Sequence, residues 1–312
     1  MEYMRSGTAR LLSVVDDTTI GFWDWVLAGI VLVTGYTALL VVAWGFIGHS
    51  YNEGPLSFLI IGGADNARGI ALLQTAVAFA FYTSLLPVVA ISLSFLGLNV
   101  AGIVAPGRKP MWHLVAKTAI LVFVFITALG FVEIWIYYNP DDVEFDPLPF
   151  RAFGYLPAIM LFIAFQATTE ELFFRGFVIQ LIGRWTKSWF IILISVTALF
   201  LFFHLANPEI EIFGWFAYLH YILAGLLFTG VALVTGRLEY SIGLHIGWNW
   251  NLLIFDTRSA EALDLYYGVG AIVYTGDLSV ATIDALSFVL IHIVLFLFCL
   301  LIHFRYVEPK AL

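Results

Sequence analysis

Eight apolar runs divide this sequence, at about 24–47, 70–97, 113–138, 154–182, 189–206, 213–235, 240–255 and 285–305. A helix that crosses a bilayer needs roughly 20 apolar residues. The pattern therefore predicts an all-α integral membrane protein, a polytopic bundle of about eight transmembrane helices. Composition agrees: 62% of the 312 residues are hydrophobic and 12% charged, against about 45–50% and 25% in soluble domains. The 10 Trp and 14 Tyr suit interfacial belts. A net charge of −8 argues against a nucleic-acid partner. Cys299, the lone cysteine, offers neither a disulfide nor a thiolate metal site.

The first run begins after about twenty mixed residues and is too long for a signal-peptide core of roughly 7–15 residues, so it reads as a retained span. The second stays apolar to Ala105, and the seventh is short and polar enough to lie against protein rather than lipid. With an inside N-terminus, the inner segments carry Arg5, Arg10, Arg108, Lys109, Arg184, Lys187, Arg237, Arg305 and Lys310, joined by Lys117. The outer ones carry Arg68, Arg151 and Arg258, with acids at Asp141, Asp142, Glu144, Asp146, Glu209 and Glu211. This bias predicts an even number of spans and cytoplasmic termini. The chain 1–312 reads as one transmembrane domain: additional spans in 1–153, a motif-bearing core at 154–255, and a polar loop and last span in 256–312. The Gly-containing centre of 256–283 suits a hairpin or a lid.

Charges at membrane depth are costly and point to function. Glu170, Glu171 and Arg175 fall mid-span in "ATTEELFFRGF". Glu171 and Arg175 stand i,i+4 with the acid first, the better order for a helical ion pair. Glu170 is turned about 100° from Glu171, leaving it to face something else. "FLFFHLANP" places His204 one turn beyond Phe200, and "GLHIGWNW" places His245 and Asn249 on one helical face. Gly247 between them admits another backbone or a substrate. Taken alone, the charged triplet and the His245–Asn249 pair also suit polar gluing between helices, and His204 suits an interfacial histidine at a helix end. Of the other histidines, His49, His113 and His303 suit interfaces, and His220 and His292 suit satisfied positions inside the bundle.

Together, Glu170, His204, His245 and Asn249 supply a base, an orienting imidazole and oxyanion donors, drawn from three spans. That set suits attack of water on an amide. Water must reach it, so the helices should enclose a hydrated cavity.

The patterns EExxxR (Glu170, Glu171, Arg175), FxxxH (Phe200, His204) and HxxxN (His245, Asn249), in this order, resemble the CAAX protease and bacteriocin-processing (Abi) family, which includes the type II CAAX prenyl endopeptidases. The resemblance covers about Gly154 to Phe255. It implies an intramembrane glutamate-type endopeptidase with no cofactor and no catalytic metal. Glu170 would be the general base, His204 its partner in activating water, His245 and Asn249 the oxyanion hole, and Glu171 and Arg175 supporting residues. Its substrate would be a membrane protein or a peptide, lipidated or not, cleaved in CAAX-type processing or in peptide maturation.

Three rivals remain. Two histidines and a glutamate resemble a His₂Glu zinc set, without an HExxH motif. A non-catalytic membrane protein that binds peptide or lipid, or acts in immunity, could use the same polar groups. Buried acids and histidines also form proton relays in transporters, although no pair of broken helices recurs in two halves. GxSG is absent, and "TGD" at Thr275–Asp277 lacks an aspartyl-protease context. One geometric tension stands. Glu170 and His204 lie about 18–23 Å along their helices from the inner ends, but His245 only roughly 8 Å. The seventh helix must be sunk into the bundle, or its boundaries differ.

Overall fold

A computed structural model describes residues 2–16, 20–52, 86–137, 141, 143–145, 156–207, 210–211, 214–251, 255–257, 272–274 and 285–308. Eleven helices are named here: α1 Glu2–Asp16, α2 Phe22–Asn52, α3 Leu86–Phe95, α4 Val100–Val104, α5 Trp112–Tyr137, α6 Leu156–Glu171, α7 Ile179–Gly183, α8 Trp189–His204, α9 Trp215–Thr235, α10 Glu239–Asn251 and α11 Ala285–Ile302. Leu172–Val178, between α6 and α7, is π-helical, as is His303–Val307 after α11.

The chain is a helical membrane protein. Among the described residues, four stretches are long and apolar enough to cross a bilayer: Phe22–Leu39, Trp112–Val132, Trp215–Thr235 and Leu286–Val307. These match four of the eight expected spans. The other four are not among those stretches. Helix α8 has 16 residues, about 24 Å at 1.5 Å per residue, short of a hydrocarbon core of ~30 Å. The run at 154–182 is helical from Leu156 to Gly183 but passes through π-helical turns at Leu172–Val178. The run at 240–255 is the 13-residue, largely buried α10. Residues 70–85 of the second run lie outside the described residues.

Local signals set the boundaries. Ser188 caps α8, its hydroxyl accepting from the Ile191 N–H. Gly236 ends α9 with φ 64°, a left-handed conformation that favours glycine. Exposed large apolar side chains, such as Trp135, Phe202 and Leu297, follow from a lipid-facing exterior.

Helix α10 resolves the tension over depth. Every residue from Glu239 to Gly247 is buried. Its first turn is covered by protein: the Leu238 N–H donates to Val104 O at 2.9 Å, and the Met111 N–H donates to Glu239 Oε1 at 3.0 Å. Arg237, counted above among the inner-segment cations, is buried in an ion pair with Glu239 at 2.6 Å. Thus α10 is sunk into the bundle, beneath α4 and the 105–111 segment. Gly243 and Gly247 admit α5 against its face. A Cβ on Gly243 would stand 2.6 Å from Thr118 Cβ, and one on Gly247 would stand 2.4 Å from Ala119 O. The close approach is by a neighbouring backbone.

A small three-stranded sheet departs from the all-α expectation. Val143–Phe145 (β1), Phe255–Thr257 (β2) and Ile272–Tyr274 (β3) pair in the order β1-β3-β2. The β2–β3 pairing is parallel, so no hairpin joins those two strands, since a tight turn serves only antiparallel neighbours. The rest of 256–283 lies outside the described residues. At the opposite end of α5 and α10, Glu308 meets Arg10 at 2.5 Å and also pairs with Arg108. This clasp ties α1, the turn after α4 and the end of α11 together. Beside it lies a cavity of about 360 Å³ lined by Tyr3, Ser6, Arg10, His303 and Glu308, among others. His303, expected at an interface, is buried there instead.

Gly247→Val should force α10 off α5. We expect a loss of about 1–3 kcal/mol or more, the usual range for overpacking, read as reduced thermal stability in detergent. Glu308 gives a pH prediction. Burial alone would raise its carboxyl, but Arg10, with His303 and Arg108, holds it below its ordinary value. The clasp is therefore intact above the ordinary carboxylate range and is lost as pH falls through the lowered value. The melting-temperature gap between wild type and Glu308→Gln should be widest near neutral pH and close under acid.

Candidate active site

The site begins where α6 passes into the π-helical turns. Glu171 and Arg175 form the expected i,i+4 pair, Nη1 to Oε1 at 2.9 Å, and both side chains are fully buried. Arg175 Nε donates to Thr229 Oγ1 at 3.2 Å. The guanidinium also lies 4.7 Å from the ring centre of Phe200 and 5.3 Å from that of Phe228. Cation–π contact thus adds to the ion pair in a place without bulk water. Phe200, read from sequence as a neighbour of His204, is part of the Arg175 cage.

The pair does not close on itself. The Glu171 oxygen that accepts from Arg175 also lies 2.9 Å from His245 Nδ1. A carboxylate flanked by a guanidinium only accepts, so His245 carries its proton on Nδ1. The ring of His245 stacks on Phe228 at 5.0 Å. Its far nitrogen, Nε2, lies 3.8 Å from Glu170 Oε2. The two glutamates point to different places, as their helical phase requires, yet they flank opposite nitrogens of one imidazole. Glu171 is therefore part of the polar site as well as a partner for Arg175.

His204 approaches from α8. Its Nδ1 lies 2.6 Å from Phe200 O, and a carbonyl only accepts, so this nitrogen also holds a proton. Its Nε2 is 3.8 Å from Glu170 Oε2. The ring packs between Phe200 and Tyr221 at 4.3 and 4.5 Å. Glu170 Oε2 is buried without a hydrogen-bond partner among the described residues, faced by two Nε2 atoms. Side-chain exposure separates the two acids: 22% for Glu170 and 0% for Glu171. Glu170 is the acid with exposed side-chain surface, although its Oε2 atom is itself covered.

Asn249 completes the group through a residue that motif reasoning passed over. Its Nδ2 donates to Gln166 Oε1 at 3.2 Å, and Gln166 Nε2 donates to Glu170 Oε1 at 2.6 Å. The available signal was spacing: Gln166 stands i,i+4 before Glu170 in an otherwise apolar stretch. Tyr221 was missed too; its hydroxyl accepts from Asn207 Nδ2 at 2.9 Å. Among the described residues, no group of three or more His, Cys, Asp or Glu side chains is arranged to hold a metal ion. His220 and His292 sit one layer away among Trp248 and Phe288. His292 is satisfied at Nδ1 by Phe288 O.

Comparison with known proteins supports the motif resemblance. Residues 152–251 match the family model for type II CAAX prenyl endopeptidase Rce1-like proteins. The uncharacterized protein YyaK of Bacillus subtilis (strain 168) is 30% identical over 168 residues, 54% of each chain. This chain thus spans about half the length of that curated relative. No solved structure matches.

The network makes a stability prediction. Arg175→Ala would strand Glu171 in a fully buried position, which costs about 3–5 kcal/mol when one partner of a buried pair is removed. A marked fall in melting temperature is expected. Glu170→Gln, at the more open acid, should melt close to wild type.

Proposed function

We propose, from the match of residues 152–251 to the Rce1-like family model, that this chain is an intramembrane endopeptidase that hydrolyses a peptide bond with water activated by Glu170. The carrying observation is the Glu170 carboxylate: one oxygen is held by Gln166, and the other is unpartnered and faced by His204 and His245.

In this reading, a water molecule gives a proton to Glu170 Oε2 as its oxygen attacks the scissile carbonyl carbon. His204 Nε2 accepts from the second water proton and aims the oxygen. The tetrahedral oxyanion is held by the second N–H of the Asn249 amide. His245 Nε2 joins as a donor when its ring is doubly protonated, because Nδ1 already carries one proton. Collapse breaks the C–N bond, and Glu170 returns its proton to the leaving nitrogen. The sum is one peptide bond and one water converted to a carboxylic acid and an amine. Glu171 and Arg175 hold the His245 ring. No step requires a metal.

The substrate proposed is a membrane protein or lipidated peptide of CAAX type, met within the bilayer. The inner face proposed is the end carrying the Arg10–Arg108–Glu308 clasp; the basic bias supports this reading, with both termini in the cytoplasm.

The deciding experiment compares membranes holding wild type with membranes holding Glu170→Gln, reading uncleaved membrane proteins, with farnesylated CAAX peptides assayed in parallel. Glu170→Gln is expected to lower cleavage by more than about 100-fold, the scale of losing a general base. Equal cleavage or equal accumulation in the two membranes would favour a non-catalytic binding or immunity protein.

A further inference from the structure

Gln166 stands between the two groups that the proposed mechanism needs in fixed states. A carboxylate oxygen only accepts, so the Gln166 amide must present its NH₂ to Glu170, as the 2.6 Å contact has it. That choice turns Gln166 Oε1 toward α10. There it accepts from Asn249 Nδ2 at 3.2 Å. Asn249 in turn must show its NH₂ side, and the second N–H of that group remains for another acceptor. The polarity of each amide is set by the one before it, starting from the charge on Glu170.

We infer that Gln166 is a positioning residue that couples the ionised state of Glu170 to the orientation of the Asn249 amide. It also divides the carboxylate: Oε1 is occupied by the Gln166 donor, and Oε2 is left to face His204 and His245. With Glu170 ionised, Asn249 offers a donor to a developing oxyanion. With the Gln166 link removed, the Asn249 amide is free to turn its oxygen toward the same place, where it would repel negative charge. Gln166 joins α6 to α10 and need not touch substrate. The inference rests on the reading of Glu170 as base and Asn249 as oxyanion donor.

The test is a double-mutant cycle in lipid nanodiscs. Gln166→Leu and Gln166→Met are each made in wild-type and Asn249→Ala backgrounds. Cleavage is followed with a farnesylated CAAX peptide and with the membrane proteins that accumulate in Glu170→Gln membranes. The expected result is a fall in kcat of about 10- to 100-fold, less than or near the cost of losing an oxyanion donor outright, with KM changed less than about twofold. In the Asn249→Ala background the same substitutions should cost only about threefold or less, because the group they act through is gone. Gln166→Met keeps side-chain length and carries the test if Gln166→Leu melts early. Equal losses in both backgrounds, a change confined to KM, or full activity in a stable Gln166→Met would overturn the inference while Glu170→Gln stays inactive. If wild type and Glu170→Gln cleave every probe alike, or neither cleaves any, the protease reading falls and this inference falls with it.

Discussion

Everything at the candidate site depends on keeping charge stable where water is scarce. An isolated carboxylate at this depth would be too costly to hold ionised. The chain meets this by linking Arg175, Glu171 and His245 through one shared oxygen, with both contacts at 2.9 Å. Phe200 and Phe228 close around the guanidinium and leave it no route to solvent. The result is a rigid, fully buried base on which a more exposed glutamate and an imidazole are set. The π-helical turns from Leu172 to Val178 lie in the same segment. Such widened turns recur at functional sites, and here they follow directly on the two acids.

The second constraint is the seating of α10. Its glycine face lets α5 approach at backbone distance. Its first turn is sealed by the Arg237–Glu239 pair and by backbone contacts to Val104 and Met111. These contacts place His245 and Asn249 inside the bundle, level with groups from α6 and α8 that are much farther along their own helices. A helix made only of lipid-facing residues could not do this, because its polar side chains would lack partners.

Within the site, the two adjacent glutamates are separated by environment rather than by chemistry. Each glutamate has one oxygen without a hydrogen-bond partner among the described residues, but Glu171 is fully buried against Arg175 and His245, and Glu170 Oε2 faces His204 and His245 from a side chain that is 22% exposed. Gln166 gives the arrangement a direction, since a carboxylate at one end fixes how both amides must lie. The clasp around Glu308 and the small sheet lie at opposite ends of α5 and α10.

The sequence alone determined the solvent and the parts. Apolar runs longer than soluble domains tolerate required a membrane, and the spacing of EExxxR, FxxxH and HxxxN marked the helices that match an Rce1-like segment. Helical phase was enough to pair Glu171 with Arg175, because neighbours four apart are fixed by the helix itself. Other features lay beyond such local rules. The shared oxygen between Arg175 and His245, the bridge through Gln166, the burial of Arg237 and His303 and the parallel pairing of β2 with β3 all join residues distant in sequence. Hydropathy also cannot tell a helix facing lipid from α10, which faces protein on all sides near its start. Tertiary packing decided these points because a buried polar group is satisfied by whatever lies nearest in space, and a linear pattern carries no record of that.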